Sequence, residues 1–221
     1  MINWQIQKEV KKFFNNIENK KILDFGCGDG RYKKFISKTN DYTGIDVEES
    51  GHLNTAKKHD IIWNKKKLPF ENDYFDAILM TEVLEHIEDI DTTLKEIYRV
   101  LKKNGSILIT VPFMWKEHEK PYDFQRFTSF GLKKLFQKNG FEIINQKKLV
   151  EKKMAIMELF ESEFNKQTKL NSENKIIYFF SQGYYFFLKI LFKIILKFLI
   201  KNSMFQDYYI GNCMIVKKIS I

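Results

Sequence analysis

Residues Ile22 to Gly30 read Ile-Leu-Asp-Phe-Gly-Cys-Gly-Asp-Gly, and this run decides the fold. Ile22, Leu23 and Phe25 have the pattern of a short buried strand. Asp24, Gly26, Gly28 and Gly30 make a loop at its C-terminal end, and a helical pattern resumes with Tyr32, Phe35 and Ile36. Strand, glycine turn and helix form the first unit of a Rossmann-like sheet, whose ligand lies beyond the carboxyl ends of the strands. Glycines there let a ligand rest directly on the backbone, where a Cβ would clash.

The spacing restricts the ligand. A dinucleotide fingerprint is Gly-x-Gly-x-x-Gly. Here Gly30 comes one position early, and Arg31 stands where that fingerprint wants glycine. Asp24 is a poor neighbour for a pyrophosphate and suits a positively charged ligand. The run Asp24-x-Gly26-x-Gly28-x-Gly30 resembles the first motif of class I methyltransferases dependent on S-adenosylmethionine (SAM), a ligand with a sulfonium, an ammonium and no phosphate. The resemblance implies cofactor contacts at Asp24, Gly26, Cys27, Gly28 and Gly30.

Later segments extend the match. Tyr42 to Val47 is a second strand ending in Asp46, at the distance where a βαβ unit sets a carboxylate against ribose hydroxyls. A carboxylate only accepts, so it can serve both hydroxyls; Val47 lies beside it. Asp60 to Trp63 is a short third strand. Asn64 follows, where the resembling family commonly has an Asp for the adenine amino group. The Asn amide oxygen can accept the same bond, and an ordinary turn Asn is the alternative. Phe75 to Met80 is the fourth strand. Thr81 to Ile87 resembles the family segment that flanks the methionine part of SAM and the acceptor, implying cofactor contacts at Thr81 and Glu82.

Leu94, Ile97, Tyr98 and Leu101 are spaced for a helix's buried face. Gly105 is expected to stop that helix, Ser106 to Val111 to form the fifth strand, and Pro112 to end it. A helix opened by Thr128 and closed by Gly140 precedes a sixth strand, Phe141 to Leu149. The resemblance runs over about residues 20–149 and a last strand near Tyr208 to Lys218. It is to the type 11 branch, with Leu-Pro-Phe, Val-Leu-Glu-His and Lys-Asn-Gly all present. It implies an α/β, doubly wound, seven-stranded sheet of order 3-2-1-4-5-7-6 with the last strand antiparallel. The expected organisation is a SAM-binding core over 1–150, a helical apolar-basic insertion over 151–205 and the last core strand over 206–221.

Composition fits one domain with a sizeable core. The net charge is +9, but the basic residues are nearly all Lys, with only Arg31, Arg99 and Arg126 besides. Nucleic-acid readers lean on the bidentate Arg fork, and no compact Arg-aromatic patch is present, so nucleic-acid binding is not expected. Cys27 and Cys213 form neither a disulfide framework nor a ligand set, which suits reduced thiols in the cytoplasm. Met1-Ile-Asn-Trp-Gln-Ile has no secretory apolar region. Residues 3–19 instead have an amphipathic pattern, expected to cover one edge of the ligand site.

The acceptor side is expected in Pro112 to Thr128, the segment after strand 5. It gathers His118, Glu119, Asp123 and Arg126 with Trp115, Tyr122 and Phe124. Its His-Glu-x-Pro-Tyr-Asp-Phe-x-Arg-Phe-Thr pattern resembles bacterial methyltransferases associated with cell-surface glycan synthesis. Methyl transfer from a sulfonium is an in-line displacement, so the protein mainly aligns the partners. An oxygen acceptor must also lose a proton, which points to His118 as general base with Glu119 or Asp123 orienting or replacing it. Trp115, Tyr122, Arg126 and His86 are the candidate acceptor contacts. His86 is the rival base, or simply a helix-start histidine. Asp123 and Arg126 are also spaced for a structural ion pair, and Thr128 for an N-cap. No acidic or histidine cluster has convincing ligand spacing, so no metal is expected.

Glu151 to Phe205 lies outside the cofactor motifs. Ile176 to Ile200 is long enough for a bilayer span, yet Lys189, Lys193, Lys197 and Lys201 recur every four residues on one helix face. A single crossing would also prevent the last strand from rejoining its sheet. The expectation is a helix in the plane of an anionic membrane at the inner face of the cell, with a buried helix or a homodimer contact as alternatives. Taken together, the sequence points to SAM-dependent O-methylation of a lipid-linked or surface glycan or another amphiphile. A quinone or lipid O-methyltransferase is the nearest alternative. An NAD-binding oxidoreductase and a non-catalytic membrane scaffold on the same fold are the alternatives from other classes.

Overall fold

The computed structural model describes residues 1–48, 58–170, 175–198 and 205–219. Seven strands form one sheet: β1 (Lys21–Phe25), β2 (Asp41–Asp46), β3 (Ile61–Ile62), β4 (Phe75–Thr81), β5 (Leu101–Pro112), β6 (Phe141–Glu151) and β7 (Tyr209–Lys218). Their order is β3-β2-β1-β4-β5-β7-β6, as the resemblance implied. β1 pairs parallel with β2 and β4, and β4 with β5, while β7 runs antiparallel to β5 with Thr110 opposite Cys213. The parallel strands β1 and β4 are buried on both faces, which explains their near-continuous apolar runs.

The helices are α1 (Ile2–Phe14), α2 (Ile90–Val100), α3 (Ser129–Lys138), α4 (Lys153–Leu170) and α5 (Lys175–Phe198). In α2, Asp89 caps the N-terminus by accepting from Thr92 N at 3.0 Å, and Leu94, Ile97 and Val100 face a core that includes Leu23, Ile78 and Ile107. Thr128 caps α3 through Gly131 N at 3.0 Å, as the sequence predicted.

Three local expectations change. The helix after β1 is a single 3-10 turn, Lys33–Phe35, because residues 31–40 must also return the chain to β2. The helix before β5 stops at Val100, and the strand starts at Leu101 with a register shift opposite Phe75 and Ala77. α1 is shorter than expected. It buries Ile6, Val10 and Phe14, and its Glu9 pairs with Lys147 of β6, so it does not wall the ligand cavity.

The chain divides into two compact units, residues 3–149 with 211–221, and residues 1–2 with 150–210. In the second unit the expected single helix is preceded by another, α4. Phe160 of α4 stacks on Phe192 of α5 at 3.9 Å, and Lys189 pairs with Glu161 at 3.2 Å. Lys189 is therefore tied to a helix of its own unit and is not a bare member of a basic stripe. The side chains of Lys193 and Lys197, and residues Leu199, Ile200 and Lys201, lie outside the described residues. α5 exposes Tyr184, Phe186, Phe187 and Phe198. No helix among the described residues is long and apolar enough to cross a membrane.

Candidate functional site

The carboxyl ends of β1, β2 and β4 open into a cavity of about 500 Å³. One end is the glycine loop. Gly26 N and Cys27 N donate to Ile45 O at 2.8 and 3.1 Å, Gly28 N to Asp46 Oδ2 at 2.7 Å, and Gly30 N to Cys27 O at 2.9 Å. The loop amides are thus committed inside the protein, and a phosphate would have to compete for them. Gly28 has φ +53°, lines the cavity, and a Cβ built on it meets no atom within 4 Å. Gly26 has φ +75°, and its Cβ would meet Val83 Cγ2 at 2.4 Å; here glycine is needed for packing as well as conformation.

Asp46 lines the cavity beside Val47, its carboxylate fixed by the amides of Gly28 and Val47, each at 2.7 Å. Phe25, Ile45 and Trp63 form an apolar wall next to it, with Trp63 edge-on to Phe25 at 5.0 Å. Asp24 is not part of the wall. It is fully buried under the loop and accepts from Tyr42 OH at 2.8 Å. Burial pushes its carboxyl up to about 7. Burial and nearby acids push the Cys27 thiol up to about 12, so it is held as a thiol.

The far end of the cavity is carried by the turn after β4 and the segment after β5. Glu82, with φ +54°, and Val83 line it, followed by His86, and then Glu119, Tyr122 and Phe124. His86 Nδ1 lies 2.8 Å from Tyr122 O, and its Nε2 lies 3.7 Å from both Glu85 Oε1 and Glu119 Oε2. His118 packs edge-on against His86 at 4.9 Å. Its Nδ1 is 3.2 Å from Asp123 Oδ2 and its Nε2 is 4.0 Å from Glu85 Oε1. Asp123 is gripped by both terminal nitrogens of Arg126 and by the His118 amide at 2.9 Å. Despite its burial, the Arg126 pairing and the His118 amide hold the Asp123 carboxyl down at about 2. Burial, and then the neighbouring His86, lowers the His118 imidazole. Burial raises Glu82 and drives Glu85 well above the ordinary carboxylate range.

Among the predicted site residues, Gly26, Gly28, Asp46, Val47, Glu82, His86, Glu119 and Tyr122 line one cavity. Cys27, Gly30 and Thr81 lie in the loop and strand behind it. Asn64 is exposed and its side chain accepts from Lys66 N at 3.1 Å, so it serves a turn. Asp123 and Arg126 form the ion pair that supports His118, and Trp115 is not a wall residue. Two contributors lack a signal of their own in the sequence. Trp63 reads as a strand end, and Glu85 reads as one letter of Val-Leu-Glu-His.

A methyltransferase-domain profile matches residues 3–146. The chain belongs to that methyltransferase-domain family. It is 34% identical over 148 residues to an uncharacterised protein of Methanocaldococcus jannaschii, covering 63% of this chain and 64% of that one. It is 31% identical over 104 residues to the fatty-acid O-methyltransferase of Mycolicibacterium smegmatis, covering 43% of this chain and 38% of the relative. The chain therefore spans less than two thirds of the length of either relative. Among solved structures it resembles the [4+2]-cyclase SpnF, with TM-score 0.63 and 16% identity over 98% of this chain and 82% of that one. At that identity the likeness speaks to the fold, and the cyclase shows that a methyltransferase fold can host other chemistry.

Proposed function

We propose that this protein is a SAM-dependent O-methyltransferase acting on an amphiphilic acceptor. The carrying observation is the single cavity that joins the glycine loop and Asp46 to His86, Glu119 and Tyr122. The residues fit SAM. Open space above Gly28 leaves room for a ligand against the backbone, Asp46 can accept from ribose hydroxyls, and Ile45, Val47 and Trp63 suit a purine face. Bound there, SAM supplies a methyl group whose C–S bonding pair stays with sulfur as the new O–CH3 bond forms. The chain's own task is to hold the acceptor oxygen in line and receive its proton. Glu119 and the His86–His118 pair stand where that oxygen would approach, with Asp123 and Arg126 fixing the ring of His118.

An amphiphilic acceptor is favoured because the far wall mixes Val83, Ile87 and Phe124 with carboxylates and imidazole, and because a relative is a fatty-acid O-methyltransferase. Lipid-linked or surface glycans, quinones and fatty acids all have this character. A second observation supports work at a lipid surface: α5 exposes Phe186 and Phe187 at 67% and 61% and Phe198 at 76%. With a net charge of +9, an anionic membrane is the surface it suits, and the membrane contact would be peripheral.

The test is calorimetry with SAM and NAD, followed by mass spectrometry of lipid and glycan extracts incubated with the protein and SAM. A mass gain of one methyl group on an extracted amphiphile is expected. Its loss by roughly a hundredfold in His118→Ala, with SAM affinity retained, would support proton handling at this end of the cavity. NAD binding in place of SAM would favour the oxidoreductase, and SAM binding with no methylated product in any extract would favour a scaffold. Flotation with phosphatidylglycerol vesicles at low salt tests the surface, and no flotation would sink the membrane contact.

A further inference from the structure

Behind the far wall of the cavity lies a group of side chains with ligand chemistry, Glu85, His86 and His118. Glu85 is fully buried, and neither of its carboxylate oxygens has a hydrogen-bond partner. An ionised carboxylate in such a place costs several kcal/mol unless a cation compensates it, and otherwise the group keeps its proton. His86 Nε2 is likewise buried without a partner. Arg126 is near, but it donates to Asp123 and to the carbonyls of Gln125 and Lys116 and reaches His118 Nδ1 at 3.5 Å, and no hydrogen bond joins it to Glu85.

The orientation of the two rings sharpens the point. His86 Nδ1 faces the carbonyl of Tyr122 at 2.8 Å. A carbonyl only accepts, so the proton is on Nδ1 and Nε2 offers a lone pair. His118 Nδ1 lies 3.2 Å from the Asp123 carboxylate and 3.5 Å from Arg126 Nη2, which can only donate, so a lone pair on its Nε2 requires the tautomer whose Nδ1–H faces Asp123. In that tautomer both Nε2 atoms turn a lone pair toward Glu85, at 3.7 Å from His86 and 4.0 Å from His118. A carbonyl or carboxylate behind each imidazole is the usual support of metal-binding histidines.

We propose that Glu85, His86 and His118 bind a divalent transition-metal ion at the acceptor end of the cavity. Their ligand atoms lie within 4.8 Å of one another, with Glu85 Oε1 at 3.7 Å from His86 Nε2 and 4.0 Å from His118 Nε2. Ligand atoms about 2.1 Å from a tetrahedral zinc ion sit about 3.4 Å apart. The group therefore has to contract by about an ångström or less on average, within the reach of side-chain rotation. Two imidazoles and one carboxylate select zinc, manganese, iron or cobalt over magnesium or calcium, which prefer all-oxygen sets. His86 and Glu119 line the cavity, so the fourth position opens toward the acceptor. The sequence alone led to the expectation of a metal-free site, and the cobalt titration below decides between the two.

The role of the ion rests on the methyltransferase reading above. An acceptor hydroxyl oxygen would take the open position. The imidazole lone pairs would be committed to the metal, leaving Glu119 to receive the hydroxyl proton. The metal site itself can be tested without an acceptor.

Tag-free, full-length protein is stripped with chelator and titrated with Co(II), following the ligand-field absorption, while SAM affinity is measured by calorimetry on the same samples. One equivalent of cobalt per chain is expected, with affinity lowered roughly a hundredfold or more by His118→Ala and by Glu85→Gln, and roughly tenfold by Asp123→Asn, which only orients His118. Should Glu85→Gln fail to fold, the half-exposed His118 still decides the matter. No saturable cobalt signal in the parent protein, or the same signal in both ligand variants, overturns the site. SAM binding without specific cobalt binding removes the metal and leaves the methyltransferase reading standing; cobalt binding without SAM binding does the reverse.

Discussion

At the glycine-loop end of the cavity, the amides of Gly26, Cys27 and Gly28 all have acceptors, and Asp46 is held by two amides. At the other end, Glu85 has no hydrogen-bond partner on either oxygen, and the Nε2 atoms of two imidazoles lie 3.7 and 4.0 Å from it. The first arrangement is rigid before any ligand arrives, which lowers the ordering cost of binding. The second leaves polar groups uncompensated in a buried place, a cost a fold tolerates where chemistry needs it. One cavity thus has a preformed cradle at one end and an incomplete charge arrangement at the other.

The largest effect that would break this contrast lies in the cradle. Gly28→Val should fold at some cost in backbone strain, since φ is +53°, and should lose SAM affinity at least a hundredfold, because its side chain fills open space in the cavity. Gly26→Val should lower thermal stability further, since it adds to the same strain a Cβ that meets Val83 Cγ2 at 2.4 Å. Calorimetry and thermal melts separate the two. Unchanged SAM affinity in a folded Gly28→Val protein would remove the cradle.

Asp24 supplies the next effect. Its carboxyl is raised to about 7 by burial, whereas in the unfolded chain it ionises near its ordinary value of about 4. Below that value both states hold the proton, and its contribution to stability is fully present. As pH rises toward 7 the unfolded state releases the proton first, so stability falls across this window by a few kcal/mol and levels off above it. Urea unfolding of the ligand-free protein at pH 5 and pH 8 should show this fall, and Asp24→Asn should make it shallower, the raised Glu82 and Glu85 supplying the remainder. An equally steep profile in the variant would assign the dependence to other groups.

The smallest effect belongs to the incomplete end. In chelator-treated protein, Glu85→Gln should melt no lower than the parent, because an amide replaces a carboxyl that has no partners to lose. By contrast, Asp46→Asn removes the charge from an acceptor of two amides and should cost about 1 kcal/mol. A destabilised Glu85→Gln would mean that Glu85 is already compensated and that the two ends are alike.

Some of this is legible in the residues and some is not. Asp24-x-Gly26-x-Gly28-x-Gly30 and the acid ending the second strand sit at local spacings set by strand and turn geometry, so the loop and Asp46 can be located before any coordinates. The sheet order comes with the resemblance those motifs carry. Periodicity at Tyr32, Phe35 and Ile36 overstates the helix after β1, because it does not record how soon the chain must turn back. Periodicity also misleads at Lys189 of α5, since it places residues on a face without saying that Glu161 of α4 lies opposite.

By itself the sequence determined the strand and turn pattern, the glycine loop and the segment after β5 that reaches the cavity, because each depends on residues a few positions apart. Only the tertiary structure decided that Asp24 lies under the loop and not in its wall, that the Asn64 side chain accepts from a turn amide, and that His118, held beside Asp123 and Arg126, comes near a fully buried Glu85 next to His86. Those relations join the turn after β4 to the segment after β5, which meet only because their strands are parallel neighbours in the sheet. Burial and lone-pair direction arise from that meeting, and no spacing along the chain encodes them.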